Sequence, residues 1–292
     1  MPVYYLENSD LRVKVSELGA ELKGILLKKD RREYVWQPGD DIWNHSSLLL
    51  FPNPGRIRRN RVIIDGEVYP AKMHGFAGDS MFAVVEQTED VLELELASGE
   101  QTKKYFPYDF RLRVRYELHG NCLHQKLIVI NDGQKQMYFG IGVHPGFYIP
   151  LELGERGEDY VLKFDTPQNL CEVMLHPATK LLTGEERPWL EGQELQLRED
   201  FFNNGPILLG NVAADYVTLL SKKSGHYMKF GIDRAPHLCL WGNPYQSAMI
   251  CIEPWFGISD TVDADHHCEH RKGIQSLGAG EVYHRLMTYE VG

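Results

Sequence analysis

Phe110-Arg111-Leu112-Arg113-Val114-Arg115-Tyr116-Glu117-Leu118, followed by Gly120-Asn121 and then Leu123 to Ile130, decides how the fold is read. The first run alternates apolar and polar residues with period two, the pattern of a strand with one face on a core. The second run reads as its partner across a glycine-asparagine turn.

The same signature recurs outward in both directions. Leu11 to Val15 alternates, Gly19 punctuates it, and Glu21 to Leu27 reads as a second strand. Arg61 to Ile64 leads into Asp65-Gly66, a favoured two-residue hairpin turn, and Glu67-Val68-Tyr69 continues beyond it. Phe82 to Glu86, Val91 to Leu96, Tyr160 to Phe164, Tyr216 to Leu220, Tyr227 to Ile232, Leu238 to Trp241 and Val282 to Val291 complete a strand-rich chain. Tyr34-Val35-Trp36 runs into a turn signal at Gln37 to Asp41. Trp43 to Phe51 is apolar and fits a short helix or an extended segment equally. Long helical periodicity is almost absent, and Arg198 to Asn203 is the best short helix. Many strands separated by Gly, Pro, Asn and Asp turns indicate an all-β sandwich or barrel rather than βαβ units. No internal repeat or linker is visible, so residues 1–292 are expected to form a single domain. Pro150 to Pro206, rich in proline and charge, is expected to carry long loops.

At 292 residues with 43% hydrophobic content the chain can bury a sizeable core. A formal net charge of -10 argues against a nucleic-acid partner. No apolar run is long enough to span a bilayer, and the N-terminus does not read as a signal peptide, so a cytoplasmic protein without membrane contact is expected. Five widely spaced cysteines without a C-x-x-C pair suit reduced thiols; Cys239 and Cys251 lie in apolar runs, where they read as small hydrophobes.

Two stretches carry the chemistry. Ala248-Met249-Ile250-Cys251-Ile252-Glu253-Pro254-Trp255-Phe256-Gly257 delivers one carboxylate from an apolar run into a proline and two aromatics. Tyr138 to Phe147 repeats the arrangement with His144-Pro145 in place of Glu253-Pro254. The residue before a proline is held extended, so each polar group is expected to end a strand at the rim of the core. A buried carboxylate is costly unless bonded or protonated, and a histidine can give or take a proton at neutral pH. Glu253 and His144 are therefore expected to meet across one pocket. An ordinary rim salt bridge and a structural histidine are the bland alternatives. Trp255 and Phe256 favour a sugar, because a ring face packs on the C–H face of a pyranose. Gly140, Gly142 and Gly146 are expected to leave open space around His144; they do not form a dinucleotide fingerprint, being one residue too long and outside a βαβ unit.

Arg56, just after Pro54-Gly55, is expected to point inward, whereas Arg58, Arg59 and Arg61 read as a solvated surface. Met73-His74-Gly75-Phe76 adds a second histidine. Asp263 to Cys268 and on to His270 offers His266 and His270 at i,i+4 spacing, but matches neither H-E-x-x-H nor a zinc-binding cysteine pattern; a polar loop between strands explains it. P-loop and nucleophile-elbow patterns are absent.

Asn53-x-Gly55-Arg56, His74-Gly75-Phe76, His144-Pro145-Gly146-Phe147 and Ile252-Glu253-Pro254-Trp255 occur in the order seen in aldose 1-epimerases, and the chain resembles the bacterial LacX-like branch of these mutarotases from Leu11 to Tyr289. The resemblance implies a large antiparallel β-supersandwich, galactose mutarotase-like, with few short helices and an open sugar cleft. It implies Glu253 as general base and His144 as general acid, with Arg56 and His74 on sugar hydroxyls and Trp241 and Trp255 lining the pocket. No metal and no other cofactor is implied, and monomer and homodimer both fit. Two departures stand out. The family's Gly-Arg-x-x-Asn-Arg is one residue longer here, Gly55-Arg56 to Asn60-Arg61, and its substrate-binding aspartate has only Asp215 and Asp233 as candidates by location. Close opposite charges are expected to lower the Glu253 pKa and raise that of His144, giving a bell-shaped pH–rate profile. A hexose 6-phosphate substrate held by Arg58 or Arg59, and a non-catalytic sugar-binding protein, are the competing readings; a glycoside hydrolase would need a second carboxylate near Glu253.

Overall fold

The computed structural model describes residues 2–38, 43–198, 200–242 and 249–292. Its strands are β1 (Val3–Glu7), β2 (Leu11–Ser16), β3 (Leu22–Leu27), β4 (Arg32–Glu33), β5 (Ser47–Leu50), β6 (Arg61–Ile64), β7 (Glu67–Pro70), β8 (Ala83–Gln87), β9 (Val91–Ala97), β10 (Phe110–His119) and β11 (Cys122–Asn131) in the first half. The second half adds β12 (Met137–Phe139), β13 (Ile141–Tyr148), β14 (Tyr160–Leu175), β15 (Leu182–Gln196), β16 (Ile207–Gly210), β17 (Tyr216–Ser221), β18 (Tyr227–Gly231), β19 (His237–Gly242), β20 (Met249–Phe256), β21 (Gln275–Leu277) and β22 (Val282–Val291). One four-residue α-helix, Glu100–Lys103, and short 3₁₀ turns complete the described residues. None of the described helices is long and apolar enough to cross a membrane.

Among the described residues the strands assemble into an antiparallel β-supersandwich. A large sheet runs β5-β13-β20-β19-β16-β14-β17-β18-β22-β11-β10-β9-β8, with β15 paired to β14. A four-stranded sheet, β1 to β4 in order, and two small ribbons accompany it. The alternating run Phe110 to Leu118 and its partner form the β10–β11 hairpin, paired in register from Phe110 opposite Asn131 to His119 opposite Cys122. Its inward residues, among them Leu112, Val114, Tyr116, Leu123 and Leu127, are fully buried. The Asp65-Gly66 hairpin forms as read, both turn residues having positive φ (51° and 83°), as a type I′ turn demands.

Three expectations are corrected. Neither polar residue ends its strand: β13 continues through His144-Pro145 to Tyr148, and β20 through Glu253-Pro254 to Phe256. The extended conformation forced on the residue before proline is the strand conformation itself, so proline deletes ladder bonds without turning the chain. The break falls earlier, at Gly140, where a side chain would strike Pro54. The interval read as loops, Pro150 to Pro206, is instead dominated by the long β14–β15 hairpin. Just over half of β15 is exposed, so it lacks the apolar period that marks a half-buried strand, as suits an edge strand. The short helix expected near Arg198 is a series of turns in its described residues; Glu199 lies outside them, as do Gly39, Asp40 and Asp41, Asn243 and Pro244, and Ala248.

Candidate active site

Strands β13, β20 and β19 lie side by side, and every second residue of each faces the same way. Gly142 lies opposite Trp255 and Gly146 opposite Cys251, which brackets His144 opposite Glu253. On the other flank of β20, His237 faces Trp255, Cys239 faces Glu253 and Trp241 faces Cys251. The alternate residues Ile250, Ile252 and Phe256 enter the main core and anchor this floor from beneath. Phe256 is therefore not a sugar-facing ring; Arg285 stacks on it, 4.3 Å from its centroid.

Glu253 and His144 meet as expected, with Oε1 and Nε2 3.2 Å apart. Glu253 is 1% exposed and His144 8%. The other carboxylate oxygen accepts the indole N–H of Trp255 at 3.2 Å, and the Cys239 thiol also hydrogen-bonds the carboxyl. No fixed cation balances this carboxylate among the described residues. The expected direction of both pKa shifts is consequently reversed. Burial pushes the Glu253 carboxyl well above its ordinary range, outweighing the two hydrogen bonds that favour the anion. Burial, with the nearby His74, pushes the His144 imidazole well below its own. Desolvation of two charges opposes their mutual attraction here, and burial favours the neutral form of each group.

The flanking glycines do not leave open space; they admit indoles. A Cβ on Gly146 would come within 3.1 Å of the Trp43 ring, and one on Gly142 within 3.2 Å of the Trp255 ring. Trp43 thereby stacks on His144, with centroids 4.6 Å apart and planes 26° apart, and meets Trp241 edge-on at 6.1 Å. The Trp43 to Phe51 segment, left open between helix and strand, is extended: it brings Trp43 and His45 to the site before β5. Buried Glu21 secures it by accepting the backbone N–H groups of Ser46 and Ser47 at 2.6 and 3.1 Å. Trp43, His45 and Cys239 were not identified as site residues from sequence. Cys239 had a usable signal, its period-two relation to Trp241.

His74 sits with positive φ (64°) beside the pair, its ring 5.6 Å from that of His144. Its Nδ1 accepts the Gly55 N–H at 3.2 Å, which places the neutral ring's proton on Nε2. Burial, aided by the charge of Arg56, lowers its pKa to about 4, so it stays neutral and can donate to a ligand oxygen. Arg56 is exposed and lines the same cleft. Its loop is clamped to the segment after β20 by Arg56 N–H to Ser259 Oγ, 3.0 Å, and by Arg58 N–H to Asp260 Oδ2, 2.9 Å.

All six residues expected at the site, Glu253, His144, Arg56, His74, Trp241 and Trp255, line one cleft of about 570 Å³. Trp255 is buried and commits its N–H to Glu253, leaving Trp43 and Trp241 as the half-exposed walls. Arg58 points elsewhere, to the Ala264 carbonyl and His266, and Arg59 is absent from the lining; Lys180 is the cation that accompanies Arg56. Asp215 and Asp233 are also elsewhere: Asp215 grips Arg234, and Asp233 accepts the Leu286 N–H. Asp79, paired with Lys72, is the other carboxylate of the lining. In the Asp263 to His270 stretch, His270 pairs with Asp265 at 2.7 Å and His267 with Glu269 at 3.5 Å, while His266 faces Arg58. Among the described residues the one cluster able to hold a metal ion is instead His144, Cys251 and Glu253.

The profile of the family described as aldose 1-epimerase matches residues 2–264. The protein LacX of Lactococcus lactis subsp. lactis, in plasmid and chromosomal forms, is 32% identical over 280 residues, 93% of each chain. A galactose mutarotase related enzyme from Lactobacillus acidophilus superposes with a TM-score of 0.94 at 28% identity, covering 100% of this chain and 97% of that one. A galactose mutarotase-like protein from Lactobacillus casei gives 0.92 at 28% identity, with both chains fully covered. This chain belongs to the aldose 1-epimerase family.

Proposed function

We propose that the protein interconverts the α and β anomers of a hexose, with Glu253 as general base and His144 as general acid. The observation that supports this reading is the 3.2 Å carboxyl–imidazole pair at the floor of an aromatic-walled cleft. Its volume, about 570 Å³, lies within the usual range for small-molecule sites. At rest the pair holds one proton, on Glu253. A sugar whose hydroxyls replace lost solvation draws that proton across to His144, leaving carboxylate and imidazolium. Glu253 then takes the proton of the anomeric hydroxyl while His144 protonates the ring oxygen; the C1–O5 bond breaks and C1 becomes the aldehyde. Both groups end uncharged, the state their burial favours, so the site stabilises the ring-opened stage. Rotation about C1–C2 and reversal of both transfers give the other anomer. Only protons move, so the reaction needs neither a metal nor a nucleotide. His74 Nε2–H and Arg56 hold hydroxyls, and Trp43 and Trp241 pack on the C–H faces of the ring.

The test is the optical rotation of freshly dissolved α-glucose and α-galactose with wild type, Glu253→Gln and His144→Asn. Wild type speeds equilibration, and each variant loses about 10²–10⁴-fold. Sugar binding without faster equilibration in wild type would sink the enzyme reading and leave a binding protein. A second reading rests on Arg56 and Lys180 sharing the lining: a hexose 6-phosphate as substrate, distinguished by a lower KM for the phosphorylated sugar that Lys180→Met abolishes.

A further inference from the structure

Cys251 precedes Glu253 by two residues on β20 and so shares its face, while His144 approaches from β13. One ligand atom from each, a thiol sulfur, a carboxylate oxygen and an imidazole nitrogen, lies within 4.8 Å of the others, and all three residues are buried. His144 Nε2 and Glu253 Oε1, 3.2 Å apart, already stand near the ligand–ligand spacing of tetrahedral zinc, which bonds of roughly 2.0–2.3 Å set at about 3.3–3.8 Å. We propose that these three side chains form a site for a thiophilic divalent cation, zinc-like in preference, whose occupation blocks the sugar cleft.

The donor set decides the class of ion. A thiolate with an imidazole favours Zn²⁺, Cd²⁺ or Co²⁺, whereas Mg²⁺ and Ca²⁺ prefer all-oxygen surroundings. His144 Nε2 faces Glu253 Oε1, so an ion seated between them meets an imidazole nitrogen and a carboxylate oxygen. Coordination takes the proton from a carboxylic acid and from a thiol, so M²⁺ with one carboxylic acid, one thiol and one imidazole gives the bound complex and two H⁺. The +2 ion and two anionic ligands sum to zero, which lets the complex sit in a buried floor that resists a net charge. Because two protons leave, binding strengthens as pH rises. Glu253 and His144 line the cleft, so the fourth coordination position opens toward the space the sugar occupies.

Metal binding stands apart from the epimerase reading, but inhibition rests on it, since the same two side chains exchange protons with the sugar there. The chelator-treated full chain is titrated with Co²⁺ and followed by absorption. Visible bands of tetrahedral cobalt and a thiolate-to-cobalt charge-transfer band are expected, saturating at one equivalent. Cys251→Ala, with Cys251→Ser as a second variant, loses the charge-transfer band. Zn²⁺ slows sugar equilibration by wild type, a chelator restores it, and Mg²⁺ has no effect. Cys251→Ala requires roughly tenfold more Zn²⁺ or beyond for the same inhibition while its metal-free rate is unchanged. Absence of the charge-transfer band in wild type overturns the site, as does equal zinc sensitivity of wild type and both variants. Cobalt bands that depend on Cys251 in a protein equilibrating no sugar uphold the site and overturn the epimerase reading; brisk equilibration without those bands does the reverse.

Discussion

Two of the places where the sheet sets a carboxylate against a cation or an imidazole differ in burial. On the outer ladder of β8, β9 and β10, Arg113 pairs with Glu95 and Glu93, and Arg115 with Glu93 and Glu86; both cations, Glu95 and Glu86 are partly exposed, and the buried Glu93 is shared by two guanidinium groups. Each cation there has more than one carboxylate, and Glu86 beside Arg115 raises the guanidinium pKa, a sign that charge suits the place. On the floor of β13, β20 and β19, a carboxyl and an imidazole stand at similar range, both buried and without a permanent counter-charge among the described residues, and both are driven toward neutrality. Contact distance alone therefore does not say whether an acid–base pair is ionised. The ladder pair is a spectator; the floor pair keeps one movable proton, which chemistry can use.

Removing the movable proton is the strongest way to break the contrast. Glu253→Gln and His144→Asn each lower kcat/KM by about 10²–10⁴-fold, and the double variant falls little further, because the two act as a unit. Losses that multiply in the double variant would mean that each group acts alone.

The pH profile sharpens the same point. The pair works while it holds one proton: below the imidazole's lowered pKa it takes up a second, and above the carboxyl's raised pKa it loses its only one. A plateau bounded by two limbs is expected, the acid limb lying below the ordinary imidazole value of 6.5. An acid limb at or above that value would falsify the burial-dominated account and restore the ion pair expected from charge proximity alone.

Trp43 tests the wall. Trp43→Ala removes the ring stacked 4.6 Å from the His144 centroid and raises KM roughly tenfold, the order of one aromatic stacking contact. Phe256→Leu, which alters a ring beneath the floor, leaves KM unchanged, in keeping with its place in the core.

Much of this was legible in the residues. Strand runs such as Phe110 to Leu118 declared themselves because one face is buried and the other wet, and His144 and Glu253 stood out as polar groups inside apolar runs. Illegible features share a cause: they depend on neighbours distant in sequence. Glu21 is what holds the segment that carries Trp43 and His45, from more than 20 positions away. Cys239 looked like a small hydrophobe because its partner Glu253 arrives from another strand. Arg58 and Arg59 looked available for phosphate until the chain after β20 engaged Arg58. The sign of the Glu253 shift could not be read at all, since a linear sequence shows proximity of charge but not the depth at which a group is buried.

Stability gives a smaller effect of the same origin. The folded carboxyl of Glu253 has a pKa above its unfolded value near 4.5. Between the two, the folded state holds a proton that the unfolded chain has lost, so wild-type stability falls as pH rises through that window and stays lower beyond it. Glu253→Gln cannot titrate. It should melt higher than wild type at about pH 8 and gain little at about pH 4, by roughly 2–4 °C for each kcal/mol removed. Equal gains at both pH values would assign the difference to packing rather than to the buried charge.

The ladder supplies the smallest effect and completes the contrast. Arg113→Met removes a cation that bridges Glu93 and Glu95 while keeping a stem that covers the sheet. Glu95 retains solvent and Arg111, and the buried Glu93 retains Arg115, so the loss should be no more than about 1 kcal/mol with kcat/KM unaltered. Added salt should shrink even that difference, because partly exposed pairs are screened, and should leave most of the Glu253→Gln gain at high pH in place, since a buried charge is screened much less. A salt response shared by both variants would erase the distinction drawn between a solvated charge and a buried one.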